Sequence, residues 1–276
     1  MMKKAFTISE LLVAIGLLAA VLAASGMVFH YSIDAQRVAT ATAEIMRNLR
    51  AITDQLNADF QGLRKDGHLV LRSETIDGKR FDALYYFSTG DFQSWYEPDI
   101  RSNIARIYFG HDGVTVDNRQ LPGNLVKDVR LLTPGRSGTD YNDVSFAQCR
   151  AAISAYFEDP YEILSSKRPR IDFDYDANDV SRLLCQYVGD VKIEWTCSRN
   201  FWTDPNQIEW FGSDNPIGGT FGTKIFETSG SVYRVAWTPH NGPYWPRAMR
   251  FTFTLYDSKG VIKNGKRFTH IVYIGE

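Results

Sequence analysis

Glu10 is an ionisable side chain at the edge of a stretch that otherwise excludes charge: Leu11 to Phe29 contains no Asp, Glu, Lys, Arg or His. A carboxylate carried to membrane depth costs roughly 2.5–3.5 kcal/mol on insertion scales, so it calls for a compensating partner. Thr7-Ile8-Ser9-Glu10 supplies one locally. With Thr7 as N-cap, the Glu10 carboxylate returns to the Thr7 amide while the Thr7 hydroxyl takes the Glu10 amide, a capping box. Such a cap suits any role for the helix that follows.

The remaining reactive side chains form no catalytic constellation. Asp172, Asp174, Asp176, Asn178 and Asp179 are the densest acidic cluster. An EF-hand loop counted from Asp172 needs Gly at position six and Glu at position twelve, where this chain has Ala177 and Leu183. Alternation with Ile171, Phe173 and Tyr175 favours a strand or edge with a polar face, and no cofactor is expected from these residues. His30, His68, His111, His240 and His270 are scattered without metal-ligand spacing. No Gly-x-Ser-x-Gly and no P-loop occurs, and Gly218-Gly219 is followed by no lysine that would complete a phosphate cradle. We therefore expect no enzyme.

Cys149, Cys185 and Cys197 are too few for a disulfide scaffold. Cys185 and Cys197 flank one apparent strand; they pair if the chain folds back there in an oxidising compartment, and otherwise are small buried apolar residues. Phe201, Trp202, Trp210, Phe211, Phe221, Tyr244 and Trp245 are read either as a contact surface or as core residues beside loops.

The elements that must position these groups begin with a long helix. The 19 uncharged residues from Leu11 to Phe29 nearly cross a ~30 Å hydrocarbon core. Ile45, Leu49, Ile52, Leu56, Phe60 and Leu63 then follow at spacings of three and four, one face of an amphipathic helix. Glu44, Arg47, Asn48, Arg50, Asp54, Gln55 and Asp59 fall between them and read as its solvated side. No proline precedes Pro98 and no glycine lies between Gly26 and Gly62, so one helix is expected from about Phe6 to Arg64. Beyond it, strands are expected at His68–Ile76, Phe81–Ser88, Ile104–Gly110, Val114–Asn118 and Val126–Thr133, with Asp77-Gly78 and Asp112-Gly113 as hairpin connectors. Helical turns are expected within Asp143–Phe157 and Pro160–Ser166, and a surface loop over Asn200–Gly222. A second strand group comprises Val188–Cys197, Ser231–Trp237, Ala248–Tyr256 and Phe268–Ile274. The fold class is α+β, a long helix on an antiparallel β-rich head. The organisation is 1–5 leader, 6–29 membrane helix, 30–65 amphipathic continuation and 66–276 head.

A net charge of −1, from 31 Lys+Arg against 32 Asp+Glu, gives no field for nucleic acid. Lys3 and Lys4 precede the span, which places the amino terminus in the cytoplasm and the head across the membrane. A secretory signal cut near Ala23-Ala24-Ser25 and a plain signal anchor both fit the apolar run, and both leave Glu10 to the cap alone.

The whole string Lys3-Lys4-Ala5-Phe6-Thr7-Ile8-Ser9-Glu10-Leu11-Leu12 resembles the processing motif of type IV prepilins and pseudopilins. The resemblance implies cleavage between Ala5 and Phe6 by a prepilin peptidase, N-methylation of Phe6, and retention of the apolar helix. Ala5 departs from the glycine usual before the cut. Glu10, with Thr7 beside it, would be the assembly contact, meeting the amino terminus of a neighbouring subunit within the membrane. Trp245-Pro246-Arg247-Ala248-Met249-Arg250-Phe251 and Phe268-Thr269-His270-Ile271-Val272-Tyr273 resemble the closing hairpin of J-type pseudopilins of type II secretion and W-type minor pilins. Val188–Trp195 resembles the strand before it, and the retained Glu10 argues against the K-type tip subunit. Some pseudopilins bind calcium through irregular loops, so the resemblance leaves calcium at Asp172–Asp179 as the one cofactor option. The implied role is a minor filament subunit near the tip. It would be stored in the inner membrane as a single-pass protein with a periplasmic head, and partnered by other minor and major subunits and an inner-membrane assembly platform. A filament-borne adhesin or DNA-uptake pilin is the alternative, followed by a signal-anchored periplasmic hydrolase.

Overall fold

A computed structural model describes residues 7–94, 100–133, 144–145, 181–197, 208–215, 226–229, 232–237 and 245–274. Helix α1 (Ile8–Gln61) is a single 54-residue element, about 81 Å long. It ends at Gly62, where a Cβ would stand 2.1 Å from the Thr89 carbonyl oxygen. Only glycine admits that approach, and the Thr89 amide donates to the Gly62 carbonyl at 2.7 Å, tying the helix end to the sheet.

The two halves of α1 have different surroundings. Every residue from 7 to 33 is exposed. From Ala41 onward one stripe is sealed: Ala41, Ile45, Ile52, Leu56 and Phe60 are buried, with Leu49 and Leu63 partly buried against the same core. The 3.6-residue spacing read from the sequence is thus the face that meets the head. Asp59 is the exception to its polar side. It is 6% exposed and faces inward, because it lies three residues after Leu56 and seven after Ile52 and so shares their face.

The head is one sheet built from β1 (Leu69–Ile76), β2 (Lys79–Arg80), β3 (Ala83–Gln93), β4 (Arg101–His111), β5 (Gly123–Thr133), β6 (Val144–Ser145), β7 (Leu183–Thr196), β8 (Phe226–Ser229), β9 (Val232–Trp237), β10 (Ala248–Leu255) and β11 (Lys266–Tyr273). Its order is β11-β10-β7-β5-β4-β3-β1-β9-β8, with β2 on β1 and β6 on β5. All pairs are antiparallel except β5 with β6. A long apolar helix on an antiparallel β head is therefore the architecture, α+β as expected. The sheet curls until Phe81 bridges Val191 in β7, and Trp195 of β7 meets Trp237 of β9 edge-on at 4.9 Å. Helix α1 packs on the sheet, touching β3, β7, β10 and β11.

Asp77 and Gly78 both adopt positive φ (51° and 74°), the hairpin turn expected between β1 and β2. Val114–Asn118 is not a strand. It forms α2 (Gly113–Asn118), because the Asp112 carboxylate accepts from the Thr115 amide at 2.8 Å and caps a helical turn. Asp112-Gly113 is accordingly a helix start between β4 and β5. The helix expected within Asp143–Phe157 begins instead with β6 at Val144–Ser145, and its remainder, with Pro160–Ser166, lies outside the described residues.

Candidate functional site

At the start of α1, Thr7 is extended (φ −81°, ψ 149°) and caps the helix. The Thr7 amide donates to Glu10 Oε2 at 3.0 Å, the Thr7 hydroxyl donates to the same oxygen at 2.9 Å, and the Glu10 amide donates to Thr7 Oγ1 at 3.4 Å. Both bonds to the carboxylate fall on Oε2. Above it, Leu11, Leu12, Val13, Ile15, Leu17, Leu18, Val21 and Leu22 are all more than half exposed, and none of the described residues folds over them. This segment is long and apolar enough to cross a membrane once, consistent with a single-pass membrane protein. Ala5 and Phe6 lie outside the described residues.

The junction of stalk and head is built on Asp59, which composition alone assigns to solvent. Its Oδ1 accepts from Lys127 Nζ at 2.6 Å and from Gln55 Nε2 at 2.9 Å; its Oδ2 accepts from the Tyr86 hydroxyl at 3.2 Å. Its backbone carbonyl accepts from Ser88 Oγ at 2.9 Å. Burial, and then the neighbouring Asp59 charge, push the Tyr86 hydroxyl well above its usual range, so it stays a donor. Phe60 stacks against Tyr86 (5.1 Å) and edge-on to Phe251 (5.7 Å), so the ionic contact is walled by aromatic rings. Polar contacts flank the buried stripe: Glu44 accepts from the amide and hydroxyl of Ser258, Lys266 Nζ donates to Thr42, and His270 bonds Asn57.

A second set of charges ties β2, β7 and β10 together. Arg80 pairs with buried Asp82 (2.9 Å) and with Asp214; Lys192 bridges Asp214 (2.8 Å) and Glu194 (3.0 Å). Arg250 holds Glu194 at 2.8 Å and lies 4.5 Å over the Trp210 ring. Asp82 is fully buried and accepts from the Ile193 amide at 2.7 Å. Burial pushes its carboxyl up to about 6, against the opposing pull of Arg80. Because the folded-state value is raised above that of the free carboxyl, the folded protein holds this proton more tightly than the unfolded chain. The Asp82 contribution to stability is therefore lowest at neutral pH, grows as the pH falls through about 6 and is complete below about 4. Relative to Asp82→Asn, the native chain should gain about 2 kcal/mol of unfolding free energy between pH 7 and pH 4. Urea unfolding of both proteins across that range measures the difference.

Cys185 and Cys197 do not meet. Cys185 lies near the start of β7 and Cys197 directly after its end, so the strand holds them apart by about 40 Å at full extension. Both are free thiols, and burial pushes the Cys185 thiol up to about 12. The chain does not fold back between them, so the bridge expected between them does not form. Of the aromatic loop residues, Trp245 is buried and Phe211 packs on the core, exchanging backbone hydrogen bonds of 2.8 and 2.9 Å with Trp195. Trp210 is partly buried under Arg250. Phe201, Trp202, Phe221, Tyr244, Cys149 and the acidic cluster Asp172–Asp179 lie outside the described residues. Among the described residues no group of His, Cys, Asp and Glu is arranged to hold a metal ion.

No family model, curated protein or solved structure matches this chain.

Proposed function

We propose that the chain is a minor subunit of a type II secretion pseudopilus or a type IV pilus-like filament, similar to the J-type or W-type subunits and placed near the filament tip. The observation that carries this reading is the division of α1. Its first half is an uncovered apolar rod begun by Thr7 and Glu10, and its second half is sealed into the head. In a resting subunit, lipid covers the exposed half; in a filament, the same half would pack on its neighbours. Glu10 can serve both the cap and the assembly contact, because the cap uses Oε2 and leaves Oε1 for the amino terminus of an adjacent subunit. Opposite charges brought together in a dry bundle neutralise one another, whereas one without its partner is strongly unfavourable. The β10–β11 hairpin at the sheet edge is compatible with the closing hairpin of those subunit types. On this reading the amino terminus is cytoplasmic before processing, the head is periplasmic, and prepilin peptidase and the assembly platform are the partners.

Glu10→Gln separates the two roles of this residue. Glutamine preserves a capping box and removes the charge. The variant should be processed normally, with mass spectrometry finding N-methyl-Phe6 at the mature start, and should then be absent from the filament fraction. A mature start at Gly26 would overturn the reading altogether. Normal incorporation of Glu10→Gln would confine Glu10 to capping.

A further inference from the structure

An open groove of about 610 Å³ lies where the head overhangs the lower part of α1. One wall is the helix from Ile33 to Glu44, and the other is the β10–β11 loop from Asp257 to Val261. Two carboxylates line it, and both are already engaged. Asp257 accepts from the amides of Val261 and Ile262, each at 2.8 Å, and Glu44 accepts from Ser258. Two cations line it as well, Arg37 and Lys259. Arg37 has only an exposed contact of 3.7 Å with Asp34, which His30 also approaches at 3.4 Å. The Lys259 ammonium has no ion-pair partner among the described residues.

The height of the groove indicates what these cations meet. Arg37 stands eight residues beyond Phe29, the last of the uncharged run, and so about 12 Å above it along the helix. Side chains on a helix lean towards its amino terminus, which here is the membrane side. The extended guanidinium therefore drops back towards the headgroup layer, which adds roughly 5–7 Å to each side of the hydrocarbon core. Ile33, between Phe29 and Arg37, supplies an apolar step at the level where acyl chains give way to headgroups. Gln36 and Thr40 add uncharged polar groups on the same wall.

We propose that this groove holds the phosphodiester headgroup of an anionic phospholipid from the leaflet on the side of the head. Arg37 forms a forked contact with the phosphate, and Lys259 closes over it from the hairpin loop. The lipid thereby fastens the loop to the membrane surface and sets the standing height of the head. The inference rests on the membrane placement of α1 and is independent of filament assembly.

The test uses the full chain in detergent micelles, titrated with phosphatidylglycerol or phosphatidylcholine and read by native mass spectrometry. One phosphatidylglycerol should be retained at least about tenfold more tightly than phosphatidylcholine. That preference should disappear in the Arg37→Gln, Lys259→Gln double variant and survive in Lys79→Gln, Arg119→Gln, which removes two cations elsewhere on the head. Equal retention by the native chain and the double variant, or equal loss in both double variants, overturns the proposal. Displacement of the lipid by inorganic phosphate also overturns it, by assigning the groove to free phosphate. Flotation of the full chain with liposomes checks the membrane placement separately; a chain that floats but shows no lipid preference refutes only the headgroup site.

Discussion

Asp59→Ala should lower the unfolding free energy of the stalk-packed head by about 3 kcal/mol or more, the range found when one member of a buried ion pair is deleted. The variant leaves Lys127, only 15% exposed, without its 2.6 Å partner, and it leaves the Tyr86 hydroxyl buried without an acceptor. The loss would come from stranded donors more than from missing attraction, and a compensating variant distinguishes the two. Asp59→Leu combined with Lys127→Met should recover most of the stability, because a well-packed apolar pair avoids desolvating two charges. A double-mutant cycle by urea unfolding, on a soluble fragment beginning at Asp34, gives the coupling directly. If the double variant is as unstable as Asp59→Ala, the ion pair is holding the geometry of the junction rather than merely satisfying itself.

Phe60→Ala is expected to have an effect of similar size, about 3–5 kcal/mol, for a different reason. Phe60 is 3% exposed and touches Tyr86 and Phe251, so truncation opens a cavity where helix, β3 and β10 converge. The same substitution logic gives the opposite result lower on the helix. Leu17→Ala removes a side chain that is 63% exposed and touches none of the described part of the head, and it should leave head unfolding unchanged. Comparing the two by thermal melting and by protease sensitivity near Gly62 tests whether α1 has one sealed half and one open half. Equal sensitivity of both positions would contradict that division.

The helix was readable because its information is local. Spacings of three and four between Ile45 and Leu63 state which face is buried, and the absence of proline, with no glycine between Gly26 and Gly62, states that nothing interrupts this half. Asp77-Gly78 was readable for the same reason, since two positive φ angles in succession restrict the residue types. Asp59 was misread because residue type was weighed before position. Its offset from Ile52 and Leu56 already put it on the buried face, and only the strand partners Lys127 and Tyr86, 68 and 27 residues away in sequence, explain how a carboxylate is accommodated there. Val114–Asn118 shows the converse error, in which an alternating pattern was outweighed by a single capping bond from Asp112. The cysteines were legible as flanking a strand; the pairing failed because a chain that stays extended over that strand keeps its two ends apart. Nothing local announces that Phe81 will bridge Val191, so the curl that brings the charged ladder together could not be read in advance.

The unbroken course of α1 from Ile8 to Gln61 also has a mechanical meaning. A rod without a joint transmits torque, so the direction in which Glu10 points at one end dictates the compass bearing of the head at the other. Deleting one residue between Phe29 and Ala41 would shorten the rod by only about 1.5 Å, yet swing the head through about 100°.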